Sequence, residues 1–223
     1  ITDTYKLKKA EEASMEIYIS KIESLWEISV RLPPRPLSVR DYKVSNIKGG
    51  LNPNIAYAMN SFCDLQNITS YLNIFSGSAT LPIEAGLMRP NMQLMGFDKD
   101  KKTNSLAIQN IKKAGLIKSL QIKTADIFEN PDLGTFDAIT CNLPFGMQIS
   151  KGEDLNKLYK QVVEYAQAKL SPKGTLVLYT SENEILEAII THSKFTITKT
   201  VEIMIPTTVN SYLHPKIFVC NLL

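Results

Sequence analysis

Apolar and polar positions along the chain change period several times, and each change marks an element. Over residues 3–25, Leu7, Ala10, Ala13, Ile17, Ile22 and Leu25 approximate one helical face behind Asp3, which can cap it; a helix is expected. From Trp26 the period falls to two, through Ile28, Val30 and Leu32, and stops at Pro33-Pro34 in the manner of a strand. Residues 42–47 can pair with that strand, ahead of a turn at Gly49-Gly50. Residues 1–50 therefore read as a small N-terminal helix and hairpin extension, and residues 51–223 as the main domain.

In the main domain the pattern becomes regular. Asn52-Pro53 starts a helix over residues 55–65, with proline at its first position. Strand-like runs follow at 71–75, 93–97, 120–124, 136–141, 175–180, 195–205 and 216–222. Helical stretches at 81–88, 102–114, 155–169 and 184–192 separate most of them. Such alternation predicts βαβ units and an α/β fold with a mostly parallel sheet. The last two runs have no helix between them, so one of them is expected to be antiparallel.

Composition narrows the class. Of 223 residues, 44% are hydrophobic and 21% charged, which excludes wholesale disorder. No apolar run approaches the roughly 18 residues of a membrane span. Residues 1–9 lack the apolar segment of a signal peptide, so a soluble, cytoplasmic protein is expected. Cys63, Cys141 and Cys220 lie far apart in no Cys-x-x-Cys arrangement, which argues against a disulfide scaffold, a zinc finger or any other metal site. The net charge of +3 is too small for a dedicated nucleic-acid binder, but its distribution is uneven. Residues 31–50 carry Arg31, Arg35, Arg40, Lys43 and Lys48 against Asp41 alone, and residues 98–124 carry seven lysines against Asp98 and Asp100. Either stretch can face a polyanion or be an ordinary solvated surface.

Four segments at the ends of strand-like runs carry candidate chemistry, where an open α/β sheet holds its ligands. Phe75-Ser76-Gly77-Ser78-Ala79-Thr80 precedes a helix whose free N–H groups suit an anion. Ala79 stands where a diphosphate-binding loop needs its second glycine, which disfavours a dinucleotide and suits a ligand with a carboxylate. Asp98, beside Lys99 and twenty-one residues after Gly77, has the spacing of a ribose-binding acid, or else caps the next helix, a job Asp100 can take. Asp126-Ile127 follows the third run; its carboxylate can accept from an adenine amine while Ile127 packs on the ring, or it is a plain turn aspartate. Asn142-Leu143-Pro144-Phe145-Gly146 is the sharpest. The Asn142 side-chain oxygen and the Leu143 carbonyl can both accept from an –NH2 group, Pro144 stiffens the turn, and Phe145 can stack on a base.

Together these segments resemble the class I S-adenosylmethionine (SAM)-dependent methyltransferases of the exocyclic-amine type, whose hallmark is an (Asp/Asn/Ser)-Pro-Pro-(aromatic) tetrapeptide. With Arg40-Asp41-Tyr42, Leu51-Asn52-Pro53 and Leu81-Pro82-Ile83-Glu84-Ala85, the chain from about residue 36 resembles the THUMP-associated RNA methyltransferases, above all the tRNA guanine-N2 methyltransferases. The resemblance implies a Rossmann-like fold with a seven-stranded, mostly parallel sheet containing one antiparallel strand. It implies SAM as cofactor, held by Phe75, Gly77, Ser78, Ala79, Thr80, Asp98, Lys99, Asp126 and Ile127. It implies methyl transfer to a base amine at Asn142, Leu143, Pro144 and Phe145, with Asn142 shared between the two sets. The implied partner is RNA, tRNA first, recruited by an RNA-binding module that fifty residues cannot hold. Ala79 and Ser76 depart from the residues usual at their positions, whereas some tRNA guanine-N2 methyltransferases share the leucine at Leu143. The same acceptors suit adenine N6 in DNA or RNA, or a protein glutamine, and a catalytically inactive SAM-fold binding subunit is the remaining alternative. His192 and His214 are assigned no catalytic work, because the transfer needs no strong base.

Overall fold

The computed structural model describes residues 15–31, 36–47, 49–145, 154–208 and 211–223. The chain divides into two compact units, Ile1–Arg40 and Asp41–Leu223, a boundary earlier than the one expected after Gly50. In the first unit, β1 (Glu16–Ile22) and β2 (Leu25–Arg31) form an antiparallel hairpin from Glu16–Arg31 to Ile22–Leu25. The expected helix over 3–25 is thus corrected where it is described, and its residues 3–14 lie outside the described set. Ile17, Tyr18, Ile19 and Ile22 are β-branched or aromatic, a composition that suits a pleated surface better than a helix. The turn at Glu23 (φ 54°) sets them against a strand of the same character. Residues 42–47 are not a strand and do not pair with β2; they belong to the second unit.

That unit begins with α1 (Pro53–Ser61), capped by Asn52, whose side chain accepts from Asn54 N–H at 2.8 Å. Then come β3 (Ser70–Ile74), α2 (Thr80–Met88), β4 (Gln93–Asp98), α3 (Lys101–Lys113), β5 (Leu120–Thr124) and β6 (Phe136–Asn142). The chain continues with α4 (Leu155–Lys169), β7 (Leu170–Thr180), α5 (Asn183–Thr191) and β8 (Phe195–Glu202). It ends with β9 (Ile205–Thr208), β10 (Ser211–Leu213) and β11 (Lys216–Leu222). Among the described residues seven strands form one sheet in the order β5-β4-β3-β6-β7-β11-β8. All its neighbours are parallel except β11, which runs antiparallel to both β7 and β8. The run expected as one strand over 195–205 breaks after Glu202, and a separate hairpin of β9 and β10 occupies the link to β11.

Strict alternation along the buried strands feeds two cores. Leu72, Ile74, Phe97, Ile139 and Cys141 pack with Tyr159 and Val162 of α4 and Leu186 of α5. The intervening Tyr71, Leu94, Ala138 and Val177 pack with Met59 of α1, Ile83 of α2 and Ile111 of α3. Residues 41–47 are fastened to this second layer. Tyr42 Oη donates to the buried Glu84 at 2.7 Å, and Ser45 exchanges two hydrogen bonds of 2.9 Å with the Asn110 side chain. Among the described residues no helix is long and apolar enough to cross a membrane. From β3 the chain steps outward to β4 and β5; from β6 it steps the other way to β7. The sheet therefore reverses between β3 and β6, and a doubly wound sheet opens a crevice at the carboxyl ends of such a pair.

Candidate active site

A cavity of about 1010 Å³ occupies that crevice, at or above the roughly 300–1,000 Å³ of typical small-molecule sites. It is lined by Phe75, Gly77, Ser78 and Thr80 from the loop after β3, by Asp98 and Lys99 after β4, and by Asp126 and Ile127 after β5. Asn142, Pro144 and Phe145 after β6 close the same space. Of the residues singled out in the sequence, Ala79 and Leu143 are fully buried and are not part of its lining. Gly146 lies outside the described residues.

The loop after β3 is wound by residues in left-handed conformation at alternate positions: Phe75 (φ 55°), Gly77 (φ 52°) and Ala79 (φ 64°). Several N–H groups of this loop are engaged within the chain: Gly77 donates to Asp98 at 3.0 Å and Ala79 to Ser76 O at 2.8 Å. Ala79, the N-cap of α2, offers no side-chain oxygen and so makes no side-chain capping hydrogen bond. The first N–H groups of a helix are orphans by geometry, and here Thr80 and Leu81 carry them at the cavity wall. Pro82 in the same turn has no N–H to satisfy. The loop also leans on β4: Ser76 N–H donates to Phe97 O at 2.9 Å. Gly96 makes that approach feasible, since a Cβ there would sit 2.2 Å from Ser76 Oγ.

Asp98 is half-buried at the end of β4. One of its oxygens accepts from Gly77 N–H and the other from Asp100 N–H, both at 3.0 Å. Each carboxylate oxygen keeps a lone pair for a further donor. Capping of α3 falls to Asp100, which accepts from Lys102 N–H at 2.9 Å and Thr103 Oγ1 at 2.7 Å. Asp126 accepts from Phe128 N–H at 3.0 Å and so caps a short turn at the cavity edge.

At the tip of β6 the Asn142 side-chain oxygen is buried with no hydrogen-bond partner. A buried, unpaired acceptor costs about 1–3 kcal/mol, and Asn142 is among the residues that line the cavity. The following residues are held firmly. Leu143 N–H donates to Tyr179 O at 2.9 Å, and Tyr159 Oη donates to Pro144 O at 2.8 Å. Phe145 meets the Tyr179 ring edge-on, with centroids 5.7 Å apart.

The sequence reading missed several lining residues. Asn73 is buried in β3 and donates to Thr140 O at 3.1 Å; a polar residue inside an apolar strand was its signal. Phe128, Lys157, Thr207 and Leu213 also line the cavity, and nothing local in the sequence marked them. Lys157 Nζ lies 5.4 Å from the centre of the Phe128 ring, a cation–π contact at the cavity. Among the described residues no cluster of His, Cys, Asp or Glu could hold a metal ion.

A doubly wound sheet whose penultimate strand is reversed, with a cavity over its switch point, is the architecture that the class I methyltransferase resemblance implies. TrmN from Thermus thermophilus has the same fold, with a TM-score of 0.78 and 23% identity over 100% of this chain and 64% of that one. The chain belongs to the RMKL-like methyltransferase domain family (UPF0020), whose model matches residues 40–211. Among curated relatives, the tRNA (guanine(6)-N2)-methyltransferase of Thermus thermophilus is 30% identical over 72% of this chain and 48% of its own length. The U6 snRNA (guanine-N(2))-methyltransferase THUMPD2 of Bos taurus is 26% identical over 76% of this chain and 33% of its own length. The chain thus spans less than half the length of these relatives.

Proposed function

We propose that this domain transfers a methyl group from SAM to the exocyclic N2 of guanine in RNA, with tRNA as the first substrate to test. The observation that carries this reading is the buried, unpartnered oxygen of Asn142, in one cavity with the uncapped start of α2 and the Asp98 carboxylate. That donor and acceptor set fits SAM. The N–H groups at the start of α2 suit its carboxylate, Asp98 can accept from ribose hydroxyls, and Asp126 and Ile127 can meet the adenine edge and face.

Bound SAM supplies an electrophilic methyl group on a sulfonium centre. The chain's own residues have to activate a weak nucleophile, because the lone pair of a base amine is delocalised into the ring. Accepting both N–H bonds on Asn142 Oδ1 and the Leu143 carbonyl favours a pyramidal nitrogen and frees that lone pair. The two acceptors also stabilise the positive charge that develops on nitrogen, the counterpart of an oxyanion hole with the sign reversed. Phe145 offers a face for the base, and Pro144 limits the swing of the turn, so much of the gain is alignment. After transfer the nitrogen is acidic enough to lose its proton to water, and no general base is needed.

Guanine is favoured over adenine by the two curated relatives, both of them guanine-N2 methyltransferases. The test is incubation of the protein and SAM with tRNA, small nuclear RNA and DNA, followed by nucleoside mass spectrometry. N2-methylguanosine in an RNA fraction is the expected product. N6-methyladenosine would move the assignment to adenine, and no methylated nucleoside in any fraction would overturn it.

A further inference from the structure

Three successive residues of the candidate acceptor turn are pinned from outside it, and one of the pins has an internal logic of its own. The Pro144 carbonyl can only accept, so the Tyr159 hydroxyl, 2.8 Å away, must donate its proton there. Tyr159 Oη also lies 2.6 Å from Thr180 Oγ1. With its own proton committed, it can only accept from the Thr180 hydroxyl. Thr180 Oγ1 in turn accepts from Glu182 N–H at 3.0 Å. Every proton in the series therefore has one place to go: Glu182 N–H to Thr180, Thr180 to Tyr159, Tyr159 to Pro144. Both side chains are fully buried, and burial pushes the Tyr159 hydroxyl well above its ordinary value, so it remains a donor across the working pH range. Hydrogen bonds in such a chain polarise one another in the same direction and strengthen the last link.

That last link has a geometric consequence for the turn. Leu143 N–H is tied to β7, the φ of Pro144 is locked by its ring, and the Pro144 carbonyl is tied to Tyr159. The peptide between Leu143 and Pro144 is thereby fixed at both ends, and with it the turn that carries Pro144 and Phe145 along the cavity. Asn142 needs no such support, because it ends a hydrogen-bonded strand.

We propose that Tyr159, oriented by Thr180, is a positioning residue for methyl transfer: it holds the Pro144–Phe145 turn in place beside Asn142 without touching substrate or cofactor. This rests on the methyltransferase reading above and extends it to α4 and β7. The test measures kcat, the KM for RNA and the dissociation constant for SAM in the wild type, Tyr159→Phe, Thr180→Val and the double variant. Circular dichroism and melting temperature report on the fold. Tyr159→Phe is expected to lower kcat about five- to tenfold, the scale of one hydrogen bond, with SAM affinity within about twofold of wild type. Thr180→Val should lower kcat in the same sense, and the double variant should be no worse than Tyr159→Phe, because both act through one chain. Undiminished kcat in a folded Tyr159→Phe protein overturns the proposal. So do losses that multiply in the double variant, or a fall in SAM affinity that matches the fall in kcat, since a merely structural role predicts those. A wild type that binds SAM but methylates no nucleic acid overturns the functional reading instead, a result visible before any variant is made.

Discussion

Asn142→Ala separates activity from stability in a way few active-site substitutions do. In the wild type the side-chain oxygen is desolvated and unpaired, a condition that costs about 1–3 kcal/mol. Truncation removes that cost and also removes some packing, since Asn142 is half-buried. The two effects nearly offset, and the variant is expected to be as stable as the wild type or more stable by about 1 kcal/mol, which is about 2–4 °C in melting temperature for a chain of this size. Catalysis should move the other way. Losing one of two fixed acceptors for a developing charge is comparable to losing one oxyanion-hole donor, about 100- to 1,000-fold in kcat. The assay pairs single-turnover methylation of RNA with differential scanning fluorimetry, with SAM binding followed by calorimetry. An Asn142→Ala protein that keeps its turnover would refute the catalytic role. One that loses several kcal/mol of stability would refute the premise that the oxygen is unsatisfied.

Three further outcomes follow from the geometry. Phe145→Ala should weaken the RNA-dependent step by about 1–3 kcal/mol if a base stacks on the ring, with SAM affinity unchanged; a fall in calorimetric SAM affinity instead would place the ring on the cofactor side. Gly96→Ala forces a Cβ to within 2.2 Å of Ser76 Oγ and should destabilise the protein by about 1–3 kcal/mol through overpacking. Adding Ser76→Ala should recover part of that loss in urea unfolding, and no recovery would mean that the clash is elsewhere. Ala79 holds a left-handed conformation (φ 64°) that costs a non-glycine residue about 1–2 kcal/mol. Ala79→Gly should therefore raise the melting temperature, and a lower one would show that the buried methyl group contributes more by packing than its conformation costs.

The main domain was readable in sequence because its buried strands are short, apolar and separated by capped helices. Asn52 and Asp100 announced two helix starts directly. The four site segments could be located for a topological reason rather than a local one: each ends a parallel strand, and a doubly wound order brings those ends together. What lies between such ends was harder to see. Thr207 and Leu213 reach the cavity from a hairpin whose residues carry no strong turn or strand signal. Asn73 lines it from inside a strand that reads as core. The N-terminal error has a plain cause. Ile17, Ile22 and Leu25 fit a helical face closely enough to mislead, while the run of β-branched and aromatic residues between them was the better guide.

The β9–β10 hairpin springs from a join that is already secure. β8 and β11 are paired along their length, from Lys216–Glu202 to Leu222–Phe195, and the base of the excursion is closed by Ile203 N–H on Pro215 O at 2.9 Å. Length and sequence beyond that closure can drift at little thermodynamic expense, yet Thr207 and Leu213 still border the cavity. Under the proposed reading, evolution or a protein engineer can therefore recut this rim to suit a different acceptor while the sheet, the loop after β3 and the turn at Asn142 stay as they are.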